Sequence, residues 1–518
     1  MRVSLVRPPL MFPRARPPET VKIAPPLGLA YVAGTLRAAG HEVICVDGQG
    51  EGLSKLRDSK LDLTLIERGL ELQEIVARIP ADTQVIGVSS MFSFEWFYMI
   101  ELIRAIRAKF PAPFLVVGGE HATADYDYVL RTMPEVDACV LGEGENKMLG
   151  LVDALEKGAA RDELPGVAYR DSQGKVVKNP ERDGEYRIQD INSIPRPAWD
   201  LIPLEEYHNL YHSGPGVRVM PMQGTRGCPY QCTFCSSAQM WTTRWKPRSV
   251  DDLIDEIKSY VQKYKINRVE FTDLTLIVDE KWVTSFCRRL IDENLGITWA
   301  MPTGTRTEAL TPQVLRLLKA SGCARVTYPL ETGSIKTSAR IKKKINFENS
   351  LTSMSNAVKT GIIVKTNIVI GFPFQNLRDI LTEYLFAVRL AWIGANDVTF
   401  FNFVPYPGSE LHEQLVLEGK IVKDATYPAW LSRVFLANYS DNQSWCPGIS
   451  ESQLKLLCVI GIAIFYGSQF LFRPKRAFQL IYRVYSRKPL TLLEIWLTNL
   501  LPRFTKRPST YLMGEQHA

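Results

Sequence analysis

Cys228, Cys232 and Cys235 stand in the stretch GTRGCPYQCTFCSS at a spacing of Cys-x3-Cys-x2-Cys. Three thiols crowded into one short stretch do not make a disulfide set, and soft thiolates so spaced select zinc or an iron-sulfur cluster. A structural zinc site wants a fourth cysteine or histidine close by, and none follows locally. Cys287 and Cys323, the nearest later cysteines, fall on helical signals or their ends and read as small apolar residues. Three protein ligands on a four-iron cluster leave one iron open, which suits a reactive cluster rather than an electron-transfer one.

A loop of this kind needs rigid elements on either side. The cysteines directly follow the strand signal RVMPMQGT. After them NRVEFTD, TWAMPT, RVTYPLET, VKTNIVIGFP and DVTFFNFVPYPG alternate with helical stretches such as SVDDLIDEIKSYVQKYK and DEKWVTSFCRRLIDEN. Six βα repeats over roughly 200 residues predict a partial parallel barrel with its active site at the carboxyl ends of the strands.

The first 150 residues also alternate. MRVSLV, HEVICVD, TQVIGVSS, PFLVVGG and VDACVLGEGE read as strands, with LGLAYVAGTLRAAG and FYMIELIRAIRAKF as helices. This predicts a Rossmann-like parallel sheet covered on both faces. Ligands of such sheets sit outside the carboxyl ends of the strands. Asp47-Gly48-Gln49-Gly50, Ser89-Ser90, Gly118-Gly119 with His121 after them, and Gly142-Glu143-Gly144-Glu145 all fall there. Together the four turns predict a ligand edge, where glycine lets the backbone approach closely. Lys147 stands where a third glycine would complete GxGxxG after Gly142 and Gly144, so NAD is not indicated. From about Leu164 to Pro221, hairpin-like strands and proline turns predict a connecting segment. The expected division is an N-terminal domain over 1–163, a linker over 164–213, the barrel over 214–425 and a helical segment over 426–518.

With the cysteine spacing at the top of a partial βα barrel, the chain resembles the radical S-adenosylmethionine enzymes. The resemblance implies an open iron that chelates the amine and carboxylate of S-adenosylmethionine, and reductive cleavage to methionine and a 5'-deoxyadenosyl radical. Further family features are matched in order by FTDLT with Asp273 and Thr275, YPLETGS with Glu331 and Ser334, VIGFPF with Gly371 and Pro373, and FVPYPGSEL from Pro405 to Leu411. Of these, Asp273, Thr275, Glu331 and Ser334 are the implied cosubstrate contacts.

The Rossmann-like domain ahead of the barrel makes the chain similar to the cobalamin-dependent (B12-binding) subclass, typified by class B methyltransferases, in which the corrin lies between the two domains. Contacts to it are then implied at Asp47, Ser89, Ser90, Gly118, Gly119, His121, Gly142 and Glu143. Many cobalamin domains carry Asp-x-His-x-x-Gly; here Gln49 replaces that histidine, so a histidine ligand to cobalt is not implied. The implied activity is methylation of an unactivated carbon, with an oxidative cyclase or ring-rearranging enzyme as the alternative. A non-catalytic metal or cobalamin sensor is the alternative from another class. Methylthiotransferases need three further cysteines in the N-terminal domain, where only Cys45 and Cys139 occur. A flavodoxin or ferredoxin is the implied electron donor.

Composition frames these readings. With 518 residues, 46% hydrophobic and 23% charged, the chain is expected to be folded and multidomain, excluding disordered, collagen and coiled-coil classes. Nine cysteines are too few for a secreted disulfide framework at this length, and reduced thiols suit the cytosol. No signal-peptide core is read in MRVSLVRPPLMFPRARPPE. From Arg473 onward, nine Lys or Arg against two Asp or Glu account for the whole net charge of +7. The rest is formally neutral, which argues against nucleic-acid binding and for a basic C-terminal segment. Leu456 to Phe472 is strongly apolar but, at 17 residues, short for a span. RPKRAFQLIYRVYSRK and LTLLEIWLTNLLPRFTKR then alternate apolar and basic residues at helical periods. Residues 456–518 are thus expected to form either a lid on the barrel or a peripheral contact with the inner face of a membrane. The second would favour an apolar small-molecule substrate.

Overall fold

The computed structural model describes residues 1–159, 164–180, 188–210, 216–241, 243–434, 441, 443–486, 489–491 and 493–498. Near-continuous aliphatic runs, the mark of strands buried on both faces, build its two main sheets. In the first, strands Glu42–Asp47, Arg2–Arg7, Val85–Ser89, Phe114–Gly118 and Ala138–Val140 lie side by side in that order, all parallel. Alternate residues serve different cores. Val3 and Leu5 face helices Leu27–Ala38 and Gly144–Lys157, while Val6 faces helix Trp96–Lys109. Both faces are therefore covered, as expected of a Rossmann-like sheet.

The sheet runs past the boundary expected at residue 163. Val167–Arg170 and Val176–Lys178, read from sequence as part of a connecting segment, add two antiparallel strands to its edge. A hairpin can extend a parallel sheet without a crossover helix, so its short strands look like a linker until their pairing is known.

In the second sheet six parallel strands follow in sequence order: Val219–Met222, Arg268–Phe271, Thr298–Met301, Cys323–Glu331, Ile363–Ile370 and Asp397–Asn402. The first and last do not pair, which leaves the barrel open. Its helices start on side-chain caps that satisfy orphan backbone donors. Ser249, Asp279, Thr311, Asn346, Asn376 and Ser409 each accept a hydrogen bond from the first turn of the helix that follows. The core on one face of the N-terminal sheet continues into the barrel through Trp199 and Tyr207.

Helix Thr426–Val434 returns to the N-terminal domain, where the Ser432 hydroxyl donates to the Phe94 carbonyl (2.5 Å) and Arg433 pairs with Asp62 (3.2 Å). Helix Glu451–Phe472 covers the barrel wall rather than its mouth. Leu454 lies at Gly371 after the fifth strand, and Tyr466 donates to Asp397 at the start of the sixth (2.8 Å). The helix is long and apolar enough to cross a membrane, with a mean hydropathy of 1.8. Its stripe of Leu454, Cys458, Gly461, Phe465 and Gln469 is nonetheless buried. Helix Lys475–Tyr485 follows. Of the expected amphipathic stretch 490–507, residues 493–498 are helical, and 492 and 499–507 lie outside the described residues.

Candidate functional site

The chain leaves the first barrel strand through Gln223-Gly224-Thr225-Arg226-Gly227 and reaches Cys228. Asp273, after the second strand, is fully buried and fixes this exit. Its carboxylate accepts the Gly224 N–H (3.0 Å), the Thr225 hydroxyl (2.7 Å) and the Thr225 N–H. Burial pushes its pKa up to about 6 against those hydrogen bonds. Through these bonds Asp273 supports the entry to the cysteine loop. The Thr275 hydroxyl points at the Cys228 sulfur, 3.5 Å away.

Within the loop the Cys235 N–H donates to the Cys232 carbonyl (3.1 Å), and Thr233 bonds to both Ile341 and Leu411 through its backbone. Cys228 and Cys232 are half-buried and Cys235 is exposed. Burial raises the Cys232 thiol pKa, and Lys343 acts in the opposite sense. Among the described residues, the group of three metal-type ligand atoms within 4.8 Å of one another is His41, Asp153 and Glu156, not these sulfurs. Three soft donors on one loop, with no fourth cysteine or histidine in the stretch, fit a cluster. Cys139, Cys287, Cys323, Cys446 and Cys458 are buried.

Glu331 ends the fourth strand in the left-handed region (φ 65°), a conformation that costs a non-glycine residue about 1 kcal/mol or more and concentrates at functional sites. Lys343, 3.6 Å from its carboxylate, also lies 5.8 Å from the Phe234 ring of the cysteine loop. The fourth-strand turn is thereby brought beside the cysteines. Ser334 caps helix Ile335–Arg340, its hydroxyl accepting the Thr337 N–H (3.2 Å). The turn between them rests on Glu383, which accepts the Gly333 N–H (2.6 Å) and the Thr332 hydroxyl (2.5 Å).

Burial raises the Glu383 pKa from the ordinary 4.5 to about 7. A carboxyl raised on folding is a burden once ionised, so its contribution to stability falls as pH rises from about 4.5 to about 7. Glu383→Gln should remove that slope. Compared by urea unfolding between about pH 5 and pH 8, the variant is expected to gain up to ~3 kcal/mol on the wild type. A difference independent of pH would contradict this.

At the carboxyl edge of the N-terminal sheet, Asp47 is fully buried and accepts the Gly50 N–H (3.0 Å) and the Tyr207 hydroxyl (2.6 Å), with Arg7 3.6 Å away. Ser89 is half-buried and Ser90 buried. Gly118 leads into Gly119, whose φ of 115° and approach to the Ser90 carbonyl leave no room for a Cβ. His121 donates its backbone N–H to that carbonyl (3.2 Å), shares a hydrogen bond with Ser93 through Nδ1 (3.0 Å) and packs on Trp96. Burial first, then His412, lowers its pKa to about 3, so the ring is neutral. Gly142 donates to the Thr123 hydroxyl (2.8 Å). Gln49 Oε1, Ser90 Oγ and His121 Nε2, from three strand ends, are buried without a hydrogen-bond partner. Buried polar groups normally find one, so these atoms fit an edge built for a polar ligand such as the cobalamin tail.

The Radical SAM superfamily profile matches residues 222–387, and the B12 binding domain profile matches residues 19–152. An uncharacterised methyltransferase of Pyrococcus horikoshii is 30% identical over 80% of this chain and 83% of its own length. The chain belongs to the B12-binding radical S-adenosylmethionine enzymes. Another member, cytidylyl-2-hydroxyethylphosphonate methyltransferase of Streptomyces wedmorensis, is 28% identical over 76% of this chain and 78% of its own. Among solved structures, the radical S-adenosylmethionine methyltransferase TsrM of Kitasatospora setae, with cobalamin and a [4Fe-4S] cluster bound, shares the fold. It aligns at a TM-score of 0.62 and 18% identity, covering 80% of this chain and 75% of that one. The cofactors of this B12-binding radical enzyme are accordingly a [4Fe-4S] cluster, S-adenosylmethionine and cobalamin.

The enzyme joins its two halves through Arg226, two residues before Cys228. Its guanidinium is buried, pairs with Glu143 (3.2 Å) and Glu145 (2.5 Å), and lies over the rings of Tyr31 (5.5 Å) and Trp241 (5.3 Å). Burial opposes its charge, but the two carboxylates outweigh it and raise its pKa. Glu143, expected at a cofactor edge, is thus turned to the cysteine loop. Sequence reasoning singled out neither Arg226, Glu383 nor Lys343. The signal that was available for Arg226 is an arginine inside a loop flanked by apolar strand and glycine.

Proposed function

We propose that this enzyme is a C-methyltransferase, moving a methyl group from cobalamin to a carbon of a small molecule. When bound, the cluster with S-adenosylmethionine supplies a carbon-centred radical, and cobalamin supplies the transferable methyl. The observation that carries the reading is the Arg226 joint, which holds the cysteine loop against the carboxyl edge of the N-terminal sheet. Two relatives that bear the name methyltransferase support it.

In this reading Cys228, Cys232 and Cys235 hold the cluster, Thr275 donates a hydrogen bond to the Cys228 sulfur, and Asp273 keeps the loop's entry rigid. Glu331, with Lys343 beside it, faces the cosubstrate, and Ser334 sets the helix behind it. Gln49, Ser90 and His121 take the polar tail of cobalamin on their unmet atoms. Placing two cofactors across one interdomain space meets the demand that a substrate carbon reach both, because near-attack geometry governs such transfers. A flavodoxin or ferredoxin supplies the electron.

The test uses anaerobic host extract, the reconstituted enzyme, reductant and S-adenosylmethionine with a deuterated methyl group. An enzyme-dependent product heavier by the labelled methyl is expected. Formation of 5'-deoxyadenosine with only products that have lost hydrogen, or kept their mass, would replace methylation by cyclisation or rearrangement.

A further inference from the structure

Helix Lys475–Tyr485 buries Val484 and half-buries Leu480, yet keeps a larger apolar stripe outside. A surface helix normally turns its apolar stripe inward; here Phe478, Ile481, Tyr482 and Tyr485, at i, i+3, i+4 and i+7, are exposed, three of them by 69% or more. Two of its basic residues turn inward while Lys475 stays exposed. Arg476 donates to the carbonyls of Gly394 and Ala395 (2.7 Å each), and Arg483 pairs with Glu494 (3.2 Å).

The stripe does not stand alone. Helix Leu377–Ile393 exposes Leu385 (70%) and Trp392 (66%), and helix Glu451–Phe472 exposes Leu471 (77%). Trp392 meets Phe472 edge to face at 5.1 Å, and Arg473 donates to the Trp392 carbonyl (2.9 Å). The ends of the two longer helices and the start of the third therefore converge on one apolar edge. Such a surface marks a partner.

Charge selects among partners. Arg473, Lys475 and Arg476 have no carboxylate within salt-bridge distance among the described residues, and the segment from Arg473 carries the protein's whole +7 surplus. Exposed aromatic and aliphatic side chains beside the exposed Lys475, on a segment whose sequence is net basic, match the headgroup boundary of an anionic bilayer, where apolar burial and attraction to lipid charge add. We propose that this edge, built on Trp392, Leu471, Phe478, Tyr482 and Tyr485, docks the enzyme peripherally on an anionic lipid surface. It lies by Gly394 and Ala395, before the sixth strand, at the end of the barrel opposite the cysteine loop. Docking therefore tethers the enzyme and leaves the cofactor end open to the aqueous side, whatever the substrate.

The test is flotation of the full-length, cluster-loaded enzyme with vesicles of phosphatidylethanolamine and phosphatidylglycerol, and with pure phosphatidylcholine. Enrichment on the anionic vesicles is expected. The triple change Phe478→Ser, Tyr482→Ser and Tyr485→Ser should lower it at least ~10-fold, the drop from losing modest interfacial burial, while 5'-deoxyadenosine formation stays within about twofold. No enrichment of the wild type, or equal enrichment of the triple variant, would overturn the proposal. So would a wild-type dimer in solution that the same three changes dissociate, since the edge would then belong to a second copy of the chain.

Discussion

Replacing Cys228, Cys232 and Cys235 together with alanine should abolish cleavage of S-adenosylmethionine while leaving the fold in place. The expected fall is on the order of 1,000-fold or more, at least ~4 kcal/mol of barrier, because the cofactor carries the hard step and the protein alone has no substitute for it. Iron per chain should fall to background in the same preparation. The fold should survive because the loop is held by backbone bonds from Thr233 and by Asp273 on Gly224 and Thr225, none of which uses a sulfur. Two of the three cysteines are half-buried and the third is exposed, so no large core cavity opens. Cys287 makes the contrast: it lies in the core with its thiol pKa pushed up to about 12 by burial. Cys287→Ala should leave iron content and cleavage unchanged and lower only stability. Retained cleavage in the triple variant, or zinc at one per chain in the wild type, would remove the basis of the mechanism.

What the sequence made legible was local. The cysteine spacing, the strand runs and the turn residues at their ends are patterns within a few residues, set by ligand reach and by backbone geometry. Choice of partner across the chain is another matter. Glu383 holds a turn 50 residues away and Arg226 finds Glu143 83 residues away, and no periodicity encodes either pairing. Asp273 and Glu143 stood out by their place after strands, but that place did not show that one bonds Gly224 and Thr225 and the other pairs with Arg226. The helix at 475–485 shows the same limit: its amphipathic pattern was plain, but which face it buries depends on the carbonyls of Gly394 and Ala395, which draw Arg476 inward. The sheet's last hairpin reads in the sequence as hairpin-like strands of a connecting segment; its pairing with Ala138–Val140 is not legible there, because strands of four and three residues carry no signal of which edge they join.

Arg226→Met should be the most disruptive single change outside the cysteines. It leaves Glu143 and Glu145, 3% and 4% exposed, facing a space that has lost their shared cation. Lys246, 3.9 Å from Glu143, compensates one of them weakly. Breaking a buried ion pair from one side costs about 3–5 kcal/mol, whereas neutralising the whole network can be nearly free. The triple change Arg226→Met, Glu143→Gln and Glu145→Gln is therefore expected to recover most of the lost stability in urea unfolding. Activity should not recover with it. Arg226 is two residues from Cys228 and its partners belong to the other domain, so on the proposed placement of the cofactors the joint sets the distance between their two sites as well as the stability. Misplacing reacting groups by about 1 Å costs on the order of 100-fold. In both variants the ratio of methylated product to 5'-deoxyadenosine should drop, by about 10- to 100-fold, while cleavage itself continues. If the triple variant restored the ratio along with the stability, the joint would be a brace and nothing more; if the single variant unfolded no more easily than wild type, the carboxylates would already be paired elsewhere.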